Sequence, residues 1–506
     1  MISRRKVVSA VPLALAAPAL MRRAMAQGAK PLTIAFPADV SSWDAMNSGT
    51  SVTQSLYKCV FDTMLDVTPE ARLEPGLGSF EWTDNNNQVL ELTLRDNLTF
   101  HNGDPLTSDD VHFTIFTRLK ADNGLAVAGN FGRIVEAVET PARNKVIFKF
   151  ASKYVTAPQR LASVGYVMPR RYYESVGAEA YLKKPVGAGP YKLVDYQRDS
   201  RILLEAFDGH WRGAPKIRQV TIQIIKDPTT RIAAIQSGQV DLAHNLPVRD
   251  VVRLGALPHL TGNLHPISNV VMIHMVNKGI FRDQNLRLAF HHAIDKAALS
   301  RAFFSGKAEP LSMWAGTGAA ANDPAFKFAY DPELAKSLLA KSGYSTTNPA
   351  KITFTTFNGV FPNDFDIART MVQMWKRVGI DANLETMEFT KYGELSRTDK
   401  LEAPILYNWF NPTDDPESYS GSIMDPKKRF SVWKSDDISP RLDPLLEETN
   451  YDKRVAGYRT FDRWCVEQGY AFPILQGVAT VVYAKRVGYT PYRTGLLAPY
   501  AWSLNA

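Results

Sequence analysis

The chain has 506 residues, of which 45% are hydrophobic, 11% aromatic and 22% charged, a profile that excludes a disordered chain, a collagen-like fibre and a polytopic membrane protein. At about 100–200 residues per domain, this length predicts two to four domains. The formal charge of +8 does not point to nucleic acid: Arg4, Arg5, Lys6, Arg22 and Arg23 all fall in the first 26 residues, and without those five the 59 basic residues become 54 against 51 acids, a net of +3 with no global field to draw in DNA or anionic lipid.

Those cations belong to a leader, predicted over residues 1–26. Ser3-Arg4-Arg5-Lys6-Val7-Val8 is its charged start, Val7 to Leu20 its short apolar stretch, and Ala24-Met25-Ala26 its A-x-A cleavage site. The apolar stretch is too short for a bilayer and contains Pro12 and Pro18. The paired Arg4-Arg5 resembles a twin-arginine signal, and Arg22-Arg23 beside the cleavage site opposes the ordinary secretory route. A plain secretory signal with an incidental arginine pair is the alternative. Either leader predicts an exported, periplasmic chain from Gln27 onward. No later stretch reaches the about 18 apolar residues of a membrane span.

Two cysteines, Cys59 and Cys465, are too few for a disulfide scaffold or a cysteine-built metal site. They lie far apart in the chain, which disfavours a bridge between them without excluding one.

Strand and helix patterns then alternate to the end of the chain. Val89 to Arg95 alternates apolar and polar, putting Leu90, Leu92 and Leu94 on one strand face. His101-Asn102-Gly103-Asp104-Pro105 reads as a turn. Thr107-Ser108-Asp109-Asp110 offers an N-cap with an acid three positions on, which predicts a helix over Val111 to Lys120. Gly187-Ala188-Gly189-Pro190-Tyr191 reads as a tight turn into a strand. Asp227-Pro228-Thr229-Thr230 is a helix start with Pro at the first position, ended by Gly238, and Val240-Asp241-Leu242 resumes extended structure. From Ile367 the residues Met371, Met374, Trp375 and Val378 recur at helical spacing up to Gly379, with a strand expected over Ala382 to Glu388. Phe472 to Leu475 and Thr480 to Tyr483 read as two strands with a turn between them. The alternation predicts an α/β architecture.

The usual catalytic signatures are absent: no H-E-x-x-H, G-x-S-x-G, C-x-x-C or phosphate-binding G-x-x-x-x-G-K-[ST] occurs. Gly187-Ala188-Gly189 lacks the third glycine of a dinucleotide loop, because position 192 is Lys. His291 and His292 are adjacent, so on a helix they project roughly 100° apart and do not chelate one ion together. His101 and His112 share a helical face only if the helix starts before the turn allows. Asp109-Asp110, Asp414-Asp415 and Glu447-Glu448 read as caps and solvated faces, and nothing singles out a catalytic pair. No cofactor and no metal site are expected.

An ordered set of blocks resembles one family. Leu56-Tyr57-Lys58-Cys59-Val60-Phe61-Asp62-Thr63-Met64-Leu65 comes first, then Leu94 to Val111, with His101-Asn102-Gly103-Asp104-Pro105-Leu106-Thr107-Ser108-Asp109-Asp110-Val111 at its heart. Gly187 to Tyr191, Trp211-Arg212-Gly213-Ala214-Pro215-Lys216 and Asp227 to Arg231 follow in the same order. Arg287-Leu288-Ala289-Phe290-His291-His292-Ala293-Ile294-Asp295-Lys296 and Tyr330-Asp331-Pro332-Glu333-Leu334-Ala335-Lys336 complete it. Each block alone is weak, and the ordered set is specific. It resembles the periplasmic solute-binding proteins of ABC importers, in the family 5 branch with peptide-, nickel-, haem- and opine-binding members.

The resemblance implies a two-lobed, type II periplasmic binding protein in its large three-domain form, hinged around a cleft. Lobe I is expected over 27–264, with an extra subdomain at about 52–185, lobe II over 265–471, and a C-terminal return to lobe I over 472–506. Such proteins are not enzymes. The implied partners are a small peptide or peptide-like solute and an ABC permease and ATPase complex in the inner membrane, with no nucleic acid, and the protein is expected to be a monomer. An opine, a glycoconjugate or a metal chelate is the alternative solute, a sensory or docking protein on the same fold a further reading, and an exported hydrolase with an inconspicuous carboxylate pair the reading from the enzyme class.

The same resemblance places the cleft wall at the loop Asp39 to Trp43, at Phe357-Asn358-Gly359-Val360-Phe361, and at Trp409-Phe410-Asn411-Pro412-Thr413-Asp414. Trp43, Phe357, Asn358, Trp409, Asn411, Thr413 and Asp414 are the candidate ligand-binding residues. Aromatics supply contact area at low entropy cost, and Asn, Thr and Asp supply orienting hydrogen bonds. Phe357, Phe361 and Trp409 also suit a core. Family members that hold short peptides by both ends use an Asp and an Arg, and the positions aligned with these are Pro412 and Val360, so simple dipeptides are expected to bind poorly.

Overall fold

The structure is a computed structural model that describes residues 30–505 other than 41, 48–50, 120–130, 133, 429–430 and 432. The predicted leader lies outside the described residues.

Ten strands form one mixed sheet. In spatial order they are Ile380–Thr386, Ala350–Thr356, Ile405–Trp409, Leu260–His274, Phe472–Ala484, Leu242–His244, Leu32–Phe36, Gln219–Ile224, Arg201–Ala206 and Tyr191–Gln197. Leu32–Phe36 runs parallel to both neighbours, as Ala350–Thr356 does at the other end. Parallel strands need crossovers, and the helices Pro228–Gln236 and Asp364–Lys376 supply two of them. The first begins as expected, with the Asp227 carboxylate accepting the Thr230 N–H at 2.7 Å. The second buries Ile367, Met371 and Trp375, and Trp375 stacks on Phe290 with centroids 3.8 Å apart while its Nε1 donates to the Phe290 carbonyl at 2.8 Å.

Two large hydrophobic cores flank the middle of this sheet. One gathers the first strands together with Val481, Val487, Leu497 and Trp502 from the C-terminal segment. The other gathers most of the apolar residues between Val270 and Val478. A four-stranded antiparallel sheet, ordered Gly78–Trp82, Val89–Leu94, Lys145–Phe150 and Val135–Ala142, extends the first core. Leu90, Leu92 and Leu94 share its buried face, as the alternation requires.

Two long neighbouring strands connect the cores. Leu260–Pro266 pairs with Val478–Ala484 beside the first core, and Val270–Ile273 pairs with Phe472–Gln476 beside the second. Between Pro266 and Val270 the register shifts. Proline has no N–H to give the ladder, and opposite it a Cβ on Gly477 would stand 2.7 Å from Asn269 Cβ. The expected turn between Phe472–Leu475 and Thr480–Tyr483 is therefore absent: the segment is one continuous strand. Its glycine serves a close approach of two strands, a need that local pattern does not distinguish from a turn. The residues Leu264 and His265, where the lobe boundary was expected, fall within the partner strand.

Smaller departures are local. The helix expected at Val111–Lys120 starts earlier, at Ser108, because Thr107 is its N-cap and the Thr107 N–H donates to the Asp110 carboxylate at 2.9 Å. It continues over Thr114–Leu119 as a wider π-helix. The strand expected at Ala382–Glu388 is Ile380–Thr386, because Gly379, at φ +106°, reverses the chain so sharply that pairing begins at the next residue. Gly187 and Gly189 lie against the Val60 backbone, where a Cβ would come within 2.0 and 2.5 Å.

Candidate functional site

The strand Ala350–Thr356 meets the parallel strand Ile405–Trp409 near its carboxyl end, Thr355 beside Ile405, and the second strand runs on past it toward the kind of carboxyl edge where open α/β sheets bind ligands. Beyond the first, Asp364 organises the loop: its carboxylate accepts the N–H groups of Gly359 at 2.9 Å, Val360 at 2.8 Å and Phe361 at 3.2 Å. Asn358 is exposed there, while the Phe357 ring is fully buried.

Phe357 belongs to an aromatic wall. Its ring centroid lies 5.7 Å from Phe389, 5.7 Å from Tyr392 and 6.0 Å from Tyr407. Tyr407 stacks on His274 at 5.0 Å, and Trp409 lies 5.7 Å from the same imidazole. Tyr407 and Trp409 are half-buried, and Phe389 and Val360 are 42% and 47% exposed. Burial holds His274 neutral, its pKa lowered to about 3, so the wall carries no charge of its own near neutral pH.

Past Trp409 the chain becomes polar and tied down. The indole Nε1 donates to the Ser418 carbonyl at 2.7 Å. Asn411 is fully buried, its Nδ2 donating to the Asp415 carbonyl at 2.9 Å and its Oδ1 accepting the Thr413 N–H at 3.1 Å. Its backbone carbonyl accepts the Ser268 hydroxyl at 2.6 Å, which fastens the loop to the crossing strand. Asp414 has a φ of +54°, and its carboxylate accepts Arg493 Nε at 2.6 Å. The Tyr419 hydroxyl donates to the Ser268 carbonyl. Burial raises the Asp414 pKa, and Arg493 offsets part of that rise.

The next two acids are also paired. Asp415 receives both terminal nitrogens of Arg454, at 2.9 and 2.8 Å, with both side chains buried. Glu417 accepts Arg160 at 2.9 Å and Lys428 at 2.5 Å. Burial alone would raise the Glu417 pKa, but the two cations outweigh it and hold it at about 2. Arg160 sits on the helix Ala157–Val164 of the first core, so this pair spans the two cores.

The expected site residues thus divide. Phe357 and Trp409 meet on the aromatic wall with Asn358 at its edge, and Asn411, Thr413 and Asp414 form the polar loop that follows. Trp43 stands apart in the first core, buried edge-on against Tyr57 at 6.3 Å and Tyr196 at 5.5 Å. Its loop is held by Asp39, whose carboxylate accepts the Tyr196 hydroxyl at 2.9 Å and the Asp199 N–H at 2.7 Å. Sequence reasoning missed His274, Tyr407, Phe389, Arg160, Tyr419 and Arg493. The alternation through Tyr407 and Trp409 would have flagged Tyr407, while Arg160 and Arg493 carry no local signal, lying 257 and 79 positions from their partners.

Among the described residues, no group of three or more His, Cys, Asp or Glu is placed to hold a metal. His291 stacks on Phe328 at 3.9 Å in the second core. Cys59 and Cys465 are free and buried, and burial pushes the Cys59 thiol up to about 12.

Two cores joined by a pair of crossing strands define the architecture of two-lobed α/β binding proteins. The model of the bacterial extracellular solute-binding proteins, family 5 Middle, matches residues 72–430, and the chain belongs to that family. It is 25% identical to heme-binding protein A of Haemophilus influenzae over 493 residues, covering 93% of this chain and 84% of that protein. It is 26% identical to the dipeptide-binding protein of Escherichia coli over 291 residues, 54% of this chain and 53% of that one. The fold is shared with the ABC-transporter-associated periplasmic binding protein DppA of Helicobacter pylori, solved with the peptide STSA, at a TM-score of 0.81, 20% identity and coverage of 94% and 98% of the two chains.

Proposed function

We propose that this protein captures a peptide or peptide-like solute between its two lobes in the periplasm and presents the closed form to an ABC permease and ATPase. One observation carries the reading: the cores are linked through two adjacent strands whose ladder is interrupted between Pro266 and Val270, beside the loop of Asn411, Thr413 and Asp414. Bending at that interruption breaks few hydrogen bonds, as a hinge requires. Asn269 Oδ1 and Thr413 Oγ1 are buried there without a hydrogen-bond partner among the described residues, which suits polar groups of a solute. The lobes are taken as 27–264 and 265–471 with 472–506 returning, the protein acts as a monomer and not as an enzyme, and export follows the twin-arginine route.

A non-peptide solute such as an opine, a glycoconjugate or a metal chelate is the second reading, favoured by the likeness to heme-binding protein A along 93% of this chain. Mass spectrometry of whatever co-purifies with the native periplasmic protein separates the two. Small-angle scattering with that solute added back should show a smaller radius of gyration than without it. An unchanged profile at saturation would overturn the closing mechanism.

A further inference from the structure

Building on the peptide reading, the ion pairs of the loop after Trp409 limit which solutes it can take. Asp415 is locked by Arg454, and Glu417 lies between Arg160 and Lys428, with both carboxylates nearly sealed from solvent. Asp414 differs from them. Its side chain keeps 10% of its surface accessible, and it follows directly on Thr413, whose hydroxyl is unpartnered. Of the three carboxylates it is the most accessible to a cationic group of a solute.

Arg493 already occupies it. The guanidinium Nε donates to Asp414 Oδ2 at 2.6 Å and its Nη1 donates to the Thr317 carbonyl at 3.2 Å. The backbone carbonyl of Arg493 accepts the Ser268 N–H at 2.7 Å. Gly318 makes room for the guanidinium, since a Cβ there would stand 3.0 Å from Nη1. Anchored at three points, this arginine is preorganised, and a solute ammonium must displace it from the carboxylate or sit beside a fixed like charge. The rings of the aromatic wall upstream are neutral, and the Asp364 carboxylate behind it is already held by three backbone N–H groups.

We propose that Arg493 is a specificity-determining residue: by neutralising Asp414 it makes the site select solutes without a free ammonium at that position, such as N-acylated peptides. The test is calorimetric titration of aromatic di- and tripeptide amides, each as the free amine and as its N-acetyl form. Wild type should bind the acetyl form more tightly, by on the order of tenfold. Arg493→Gln, which leaves Asp414 uncompensated, should shift that ratio toward the free amine by about tenfold, and Arg493→Lys should restore the wild-type order. If Arg493→Gln does not fold, Asp414→Asn/Arg493→Gln, with neither charge, should bring the two forms to near-equal affinity. A wild type that prefers the free amine, or a ratio unmoved by removing Arg493, overturns the proposal and leaves the peptide reading standing. Binding of neither form by folded wild type overturns the peptide reading and this inference with it.

Discussion

Arg160 Nη2 donates to Glu417 Oε2 at 2.9 Å, joining a helix of the first core to a loop of the second. The glutamate is 5% accessible and also holds Lys428. Removing one member of such a pair leaves a buried charge without compensation, which costs more than the pair itself contributes.

Glu417→Gln is therefore expected to destabilise the protein by about 3 kcal/mol at neutral pH. The group also sets an acid limb. Its pKa is depressed to about 2 in the folded protein, against about 4.3 in an unfolded chain. Its contribution is thus complete above about pH 4.3 and is lost as pH falls toward 2. Denaturation curves between pH 3 and 7 should show a shallower acid loss in the glutamine variant; an identical slope would rule this assignment out.

Asp462 predicts the opposite slope. It is buried in the second core and accepts the Ser420 hydroxyl, and burial raises its pKa to about 8 despite that bond. The folded protein then holds a proton that the unfolded chain releases near pH 3.9, so this group makes stability fall as pH rises from about 4 to about 8. Asp462→Asn keeps a neutral hydrogen-bonding group and should flatten the decline. Thermal unfolding across that range, with the two proteins keeping the same pH dependence, would exclude it.

Phe357 and Phe389 test which part of the aromatic wall is core and which belongs to the candidate site. Phe357→Ala should cost about 3–5 kcal/mol of stability, because the fully buried ring leaves a cavity. Phe389 is 42% exposed, so Phe389→Ala should change stability by no more than about 0.5 kcal/mol while weakening binding of N-acetylated aromatic peptide amides several-fold. Undiminished affinity in a folded Phe389→Ala protein would remove this residue from the site.

Export tests the expected leader. Replacing Arg4-Arg5 with a lysine pair should leave the precursor uncleaved in the cytoplasm, read by fractionation and immunoblotting. Normal periplasmic accumulation of that variant would assign the ordinary secretory route.

The α/β class, the cap at Thr107, the helix start at Asp227 and the buried face of Leu90, Leu92 and Leu94 were legible because each depends on residues within a few positions of one another, through capping and periodicity. The family was legible because its blocks keep their order along the chain. Which polar residues meet was not. Asp414 finds Arg493, Glu417 finds Arg160, and Tyr407 finds His274 only when segments distant in sequence are packed side by side. The same holds for Gly477, whose lack of a side chain fits a turn and a close strand crossing equally well until Asn269 is seen opposite it. Local propensity acts over a few residues, whereas charge pairing and backbone approach are decided by how distant segments pack, and that packing is a property of the folded chain.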